Sequence, residues 1–385
     1  MRFRYQNVCL ESLAYTLPEE RITSAQIESW LGPLYRRLGL PEGRLELMTG
    51  IVERRFWAPG VLPSQKSIET AEKALRRAGV DPARIGALVH GSVCRDYLEP
   101  ATACGVHHGL GLPPDCLVYD VSNACLGLLN AVVQIANMIE LGQIEAGVAV
   151  GTESSRSLVE ATVERLNLDT TLSRHDIKPA LASLTIGSGS AAVVLVHRRL
   201  SRTGNRLLGG AAQADTDFCH LCRSGRDEAV GDGMHPQMST DAEALLHEGV
   251  RVGKETFDEF LDAMGWAPDG LHKTFCHQVG RAHRALMLQA VGRDPATDYS
   301  TLEYLGNTGS VALPITAALG IEKGHVRKAE HVALMGIGSG INALILGVHW
   351  QTSPVDGARP CVGLGGVCKA EECVGPSAPV LCAKK

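Results

Sequence analysis

A ten-residue pattern occurs twice in this chain. Ile186-Gly187-Ser188-Gly189-Ser190-Ala191-Ala192-Val193-Val194-Leu195 returns as Ile337-Gly338-Ser339-Gly340-Ile341-Asn342-Ala343-Leu344-Ile345-Leu346. Each copy is a glycine turn that leads into an aliphatic strand near the end of a long run of strand and helix patterns. The copies stand 151 residues apart. That spacing points to duplication of a unit of about 150 to 190 residues, and a chain of 385 residues has room for two.

The strand candidates are nearly continuous apolar runs: Ile85 to Val93, Leu117 to Val121 and Gly147 to Val150. Runs without alternation belong to strands covered on both faces, in a mixed or parallel sheet. Ser67 to Ala78 carries Ile68, Ala71, Leu75 and Ala78 on one helical face. Ser239-Thr240-Asp241 supplies a cap for a helix to about Met264, with Leu245, Leu246, Phe257, Phe260 and Leu261 inward. The expected fold class is α/β. The expected organisation is a first half over 1–199, a Gly-rich polar linker and loop over 200–238, and the remainder of the second half over 239–350. The Gly/Cys/Pro-rich segment 351–385 is expected as an unstructured tail.

Charge narrows the function. Lys and Arg number 37 against 42 Asp and Glu, which gives no electrostatic basis for nucleic-acid or anionic-membrane binding. No stretch approaches the roughly 18 uncharged apolar residues of a membrane span. Met1 to Gln6 is polar, without the apolar core of a signal peptide. Twelve cysteines without such a signal are expected as reduced thiols in the cytoplasm.

Among the cysteines, Cys125 has a distinctive setting. Leu117 to Val121 is a short strand, Ser122-Asn123-Ala124 a turn of small residues, and Leu126 to Leu141 a buried helix. A thiol at such a corner faces the positive end of the helix dipole, which favours the thiolate, the nucleophilic form. Two further corners follow downstream. Lys273 to Cys276 reads as a strand end before His277-Gln278-Val279-Gly280, and Tyr304-Leu305-Gly306-Asn307-Thr308-Gly309 is a glycine-flanked turn. Singly, a histidine is a core residue and an asparagine a turn former. Together a neutral His and an Asn amide can donate to one thioester oxygen and hold an enolate there.

The motifs Asn123-Ala124-Cys125, His277-Gln278, Gly306-Asn307 and Gly336-Ile337-Gly338-Ser339-Gly340 resemble the thiolase superfamily, specifically its β-ketoacyl-ACP synthase III branch. Thr49-Gly50-Ile51-Val52-Glu53-Arg54-Arg55 is similar to that branch's early Thr-Gly-Ile-x-x-Arg-Arg signature, and the resemblance runs from about residue 5 to Trp350. It implies a duplicated five-layer α-β-α-β-α fold, a homodimer, and acyl thioesters entering by a narrow channel. It implies catalytic Cys125, His277 and Asn307, and an oxyanion hole from the N–H groups of Cys125 and Ser339. It implies no cofactor or metal, with CoA or acyl carrier protein as the substrate's carrier.

One departure separates sub-families. Ordinary synthase III enzymes carry an aromatic residue before the proline of the Ser92 to Ala103 segment, where this chain has Glu99. That wording, with His277-Gln278-Val279 and Leu221-Cys222-Arg223, is similar to the OleA-type acyl-CoA condensing enzymes of olefin biosynthesis. The resemblance implies a non-decarboxylative condensation of two fatty acyl-CoA molecules, with Glu99 reaching into the neighbouring subunit as the base that removes an α-proton. Two alternatives stay open: decarboxylative condensation with malonyl-ACP, and a non-catalytic acyl-binding role. Cys219-His220-Leu221-Cys222 lacks the second pair of a zinc site. Cys361, Cys368, Cys373 and Cys382 fit no metal spacing, and His283 reads as structural. Arg54, Arg55 and Arg95 are candidates for CoA phosphate contacts, with the nucleotide site left open.

Overall fold

The two copies of the glycine pattern become equivalent strands of two sheets. The computed structural model describes residues 1–225, 237–352 and 355–357. The chain begins with β1 (Arg2–Arg4), β2 (Val8–Thr16), β3 (Glu20–Thr23), α1 (Ser24–Trp30), α2 (Gly32–Leu38), α3 (Arg44–Thr49) and β4 (Glu53–Phe56). It continues with α4 (Pro63–Ala78), β5 (Ile85–Gly91), α5 (Thr102–Leu110), β6 (Leu117–Val121) and α6 (Gly127–Glu140). Next come β7 (Ala146–Glu153), α7 (Arg156–Leu168) and β8 (Gly189–His197), then β9 (Arg206–Ala214), β10 (Cys222–Ser224) and β11 (Met238–Thr240). The remainder is α8 (Ala242–Met264), β12 (Lys273–Cys276), α9 (Arg281–Ala290), α10 (Leu302–Leu305) and α11 (Ala312–Glu322), followed by β13 (His331–Gly338), β14 (Asn342–His349) and β15 (Val355–Gly357).

Among the described residues nine strands form one hydrogen-bonded path, β12-β13-β14-β9-β2-β8-β7-β5-β6, and β1 on β9 and β15 on β2 bring the total to eleven. Between β9 and β2 the path narrows to the single pair Cys9 and Arg206, so it divides there into two sheets. In one, β5 is parallel to β7, and β7, β8 and β2 alternate in direction. In the other, β12 is parallel to β13, and β13, β14 and β9 alternate. The repeat therefore falls on β8 and β14, the matching strand of each sheet.

Burial explains the layering. Ala312 to Ile321 of α11 is buried on every side, and α6 buries Leu128, Leu129, Val132, Ile135 and Ile139. A helix apolar all round belongs between two other layers. Both share one core with Val193 and Leu195 of the first sheet and Leu334, Leu344 and Leu346 of the second. On its other face the first sheet packs Val148 and Val194 against Ala71 and Leu75 of α4 and Val106 of α5. The second packs Met335 and Ile345 against Phe257 and Phe260 of α8 and Leu288 of α9. The result is α-β-α-β-α in five layers.

Segment 200–238 is not the expected linker, because it contains β9, which lies against β14 along its length. Arg-Leu-Leu-Gly-Gly-Ala-Ala has none of the β-branched residues that mark a strand. Its small residues serve close contact instead: a Cβ at Gly210 would stand 2.2 Å from the Ile345 carbonyl oxygen. The expected tail also begins later than residue 351. Asn205 Oδ1 accepts from the N–H groups of Gln351 and Thr352 at 2.6 and 2.9 Å, and β15 pairs with Leu13 to Tyr15 of β2. The rest of that expectation, with Cys361, Cys368, Cys373 and Cys382, lies outside the described residues. No helix among the described residues is long and apolar enough to cross a membrane.

Candidate active site

Cys125 sits between β6 and α6 in a turn closed by Leu126 N–H to Asn123 O (2.9 Å) and Gly127 N–H to Ala124 O (3.3 Å). Ala124 holds φ at 43°, a left-handed conformation that costs a residue with a Cβ about 1–2 kcal/mol. Asn123 Nδ2 donates to Asn130 Oδ1 at 2.8 Å and ties the turn to the helix it opens. The thiolate expected at this corner is not the resting form. Burial, then the charge of Glu153, then Cys222 push the thiol up to about 12. Loss of water and a nearby carboxylate outweigh the helix end, and Cys125 rests as a thiol at neutral pH.

Each copy of the repeat supports a candidate residue of the other half. The second copy covers Cys125: a Cβ at Gly338 would stand 3.4 Å from the Cys125 nitrogen, so a bare residue lets the Gly338-Ser339-Gly340 turn approach. Asn342 Nδ2 donates to Asn123 Oδ1 and to Ser339 O, both at 3.2 Å. Ser339 is thereby held beside the nucleophile's turn. The first copy seats Asn307, whose N–H donates to Thr185 O at 3.0 Å and whose carbonyl accepts Gly187 N–H at 2.9 Å. Asn307 Oδ1 accepts Gly309 N–H at 3.0 Å. With its amide oxygen taken, the Asn307 side chain presents N–H donors.

His277 follows β12, and its N–H donates to Met335 O of β13 at 3.0 Å. It is 3% exposed, and neither ring nitrogen has a hydrogen-bond partner. Burial, then neighbouring His283, lower it to about 3, so the ring is neutral. Two buried polar side chains hold the strand end. Asp298 Oδ1 accepts Cys276 N–H and Thr274 Oγ1 at 3.0 Å each, and its Oδ2 accepts Arg284 Nε at 2.6 Å. Gln278 Nε2 donates to Cys276 O at 2.6 Å, while its Oε1 accepts Ser300 Oγ at 2.7 Å and the N–H groups of Thr301 and Leu302 at 3.2 Å. Gln278 thus joins the His277 strand to the α10 segment that leads to Asn307.

Glu153, at the end of β7, was not singled out from sequence. The one available signal was an ionisable residue closing the apolar run Ala146 to Thr152. It is 5% exposed. Its Oε1 accepts Val93 N–H (3.1 Å), Ser310 N–H (3.2 Å) and Ser310 Oγ (2.6 Å), and its Oε2 accepts Cys94 N–H (3.3 Å).

Other candidates fall elsewhere. Glu99 is exposed on the loop after β5, and among the described residues no hydrogen bond ties it to Cys125, His277 or Asn307. Arg54 is fully buried, donating to Ser24 Oγ at 3.1 Å and Leu184 O at 3.0 Å, and buried Arg55 donates to Pro18 O at 2.8 Å. Both brace β4 and are withdrawn from any phosphate at the surface, whereas Arg95 is exposed. Cys222 accepts Thr240 Oγ1 at 3.3 Å. No group of three His, Cys, Asp or Glu among the described residues could hold a metal.

Residues 64–171 match the thiolase N-terminal domain model, and 261–350 match the 3-oxoacyl-[acyl-carrier-protein] synthase III C-terminal model. The chain is 42% identical over 351 residues to the acyl-CoA:acyl-CoA alkyltransferase of Shewanella oneidensis, covering 90% of this chain and 100% of that protein. Its identity to the enzyme of the same name from Xanthomonas campestris pv. campestris is 35% over 346 residues, covering 90% and 99%. A cysteine-to-serine variant of Xanthomonas campestris OleA, solved with lauric acid and lauroyl-CoA bound, superposes with a TM-score of 0.84 at 35% identity, covering 90% of this chain and 100% of that one.

Proposed function

The chain belongs to the acyl-CoA:acyl-CoA alkyltransferases, thiolase-fold condensing enzymes, and on that premise we propose that it joins two fatty acyl-CoA molecules through an acyl group carried on Cys125. Cys125 attacks the first thioester, its proton leaves with CoA, and the acyl chain stays on sulfur. The N–H groups of Cys125 and Ser339 hold the tetrahedral oxyanion. The second acyl-CoA places its thioester oxygen at His277 and Asn307. Glu99 of a second copy of this chain takes an α-proton, and the resulting enolate attacks the acyl-cysteine. Collapse expels the Cys125 thiolate and leaves a 2-alkyl-3-oxoacyl-CoA.

The observation that carries this reading is the state of His277 and Asn307. His277 is neutral, buried and unpartnered, and the amide oxygen of Asn307 is occupied. Both therefore have N–H groups for an enolate oxygen, which gains negative charge only as the proton departs. A homodimer is supported by β6, the outer strand of its sheet, whose Leu117 is half exposed. Val93, Tyr97 and Leu98 add exposed apolar surface on the loop that carries Glu99.

The test is product analysis with one long-chain acyl-CoA and no malonyl donor. The expected result is sustained CoA release, an acyl adduct mapped to Cys125, and a branched β-keto product. Turnover only with malonyl-ACP, accompanied by carbon dioxide release, assigns decarboxylative synthase III chemistry instead.

A further inference from the structure

The proposed mechanism leaves Glu153 without a task, although it lies at the junction of the site's parts. Its carboxylate is buried, accepts four hydrogen bonds, and forms no ion pair with a Lys or Arg among the described residues. A buried charge without a counter-ion costs several kcal/mol unless its hydrogen bonds offset the loss of water. Those bonds come from two separate segments. Val93 and Cys94 open the loop that reaches Glu99 five residues later. Ser310 stands three residues after Asn307, and Gly309, between them, holds the Asn307 amide oxygen. A Cβ at Gly309 would lie 3.1 Å from the Glu153 carboxyl group, so this turn is packed directly on it.

We propose that Glu153 is a positioning residue for the condensation step, one carboxylate that fastens the near end of the Glu99 loop to the Asn307 turn. The inference rests on the reading above, in which Glu99 supplies the base and Asn307 receives the enolate. The loop serves the partner's site while the turn serves its own, so Glu153 sets both geometries from one atom group. Acylation of Cys125 needs neither the base nor the enolate site, so losing Glu153 should not slow it.

The charge of Glu153 provides an independent readout. It raises the Cys125 thiol, as Cys222 does, and it also acts on Cys94 and buried His90. Removing it should move alkylation of Cys125 to lower pH, which reports that the charge near the thiol has gone, while the split between acylation and condensation separates positioning from a general loss of structure.

The experiment compares the full-length protein with Glu153→Gln, reading three quantities: Cys125 acylation by an acyl-CoA, condensation turnover, and the pH profile of Cys125 alkylation. The amide keeps the size but puts an N–H group where the carboxylate accepts. The expected outcome is near-complete acylation, condensation lowered ten- to a hundredfold, as misplacement by about 1 Å does, and an alkylation profile shifted to lower pH. Condensation at the wild-type level overturns the inference, as does loss of acylation in equal measure to condensation. Should Glu153→Gln fail to fold, Ser310→Ala decides: it removes the 2.6 Å bond and should lower condensation severalfold with acylation intact. Unchanged condensation in that variant overturns the inference. A wild-type protein that never acylates Cys125 defeats the functional reading itself, a different result from a normal Glu153→Gln variant of an active enzyme.

Discussion

Asn342 donates its side-chain amide to Asn123 Oδ1 across 3.2 Å, and that bond joins the nucleophile's turn in one half of the chain to the glycine turn of the other. Asn123 passes the restraint on to Asn130 in α6, and Asn342 also holds Ser339 O. The N–H groups of Cys125 and Ser339 belong to the two turns so joined. Asn342→Ala should therefore lower the rate of Cys125 acylation about tenfold or more, as loosening an oxyanion site does, and destabilise the fold by about 1 kcal/mol. Single-turnover acylation and denaturant unfolding measure both. A variant acylated at the wild-type rate would show that the bond does not organise the site.

Cys125 rests protonated, with burial, Glu153 and Cys222 holding its thiol near 12. Alkylation of Cys125, followed by peptide mapping, should be slow near pH 7 and still rising near pH 10. A profile that levels off near pH 7 would mean that the helix end prevails after all. Cys125→Ser should fold normally and lose about 10⁴-fold or more in turnover.

His277 and His283 are buried without charge, at about 3 and about 4 against 6.5 for a free imidazole. Both folded values lie below the unfolded one, so on acidification the unfolded chain binds protons that the folded chain refuses. Their contribution is present above about pH 6.5 and is lost as pH falls toward 3, by roughly 1.4 kcal/mol per pH unit for each histidine. Denaturation midpoints measured between about pH 7 and 5 should fall, and His277→Asn should make the fall shallower. Equal slopes for the two proteins would contradict the neutral His277.

The chain end divides at β15. A protein ending at Gly357 keeps β15 on β2 and the Asn205 bonds to Gln351 and Thr352. One ending at Gln351 leaves Asn205 short of the Thr352 N–H and carbonyl oxygen, and should melt several degrees lower. Equal melting temperatures for the two truncations would remove β15 from the account.

Much of the local structure around the candidate site was legible because its parts are consecutive in sequence. The apolar run Leu117 to Val121, the small-residue turn and the apolar helix after Cys125 appear as β6, the nucleophile's turn and α6, although β6 is the outer strand of its sheet and is not buried as expected. The Asp241 cap and the helix to Met264 were likewise written in consecutive residues. Contacts between distant segments were not legible. Glu153 ends an apolar run as many surface residues do, and its partners stand 60 and 157 positions away. The resting state of Cys125 was misread for the same reason: the helix end is visible in sequence, whereas the covering β13–β14 turn and the Glu153 charge are not. β9 was missed because its glycines and alanines pair by close approach rather than by β-branched packing.

Glu99 separates the two chemistries most directly. Without decarboxylation, something must remove a weakly acidic α-proton, and Glu99 is the carboxylate assigned to that step. The decisive measurement is Glu99→Gln given a single long-chain acyl-CoA, with Cys125 acylation and β-keto product followed in the same sample. The account predicts stoichiometric acylation of Cys125 with condensation reduced a hundredfold or more, the scale of a lost general base. Condensation at the wild-type rate in that variant would contradict it.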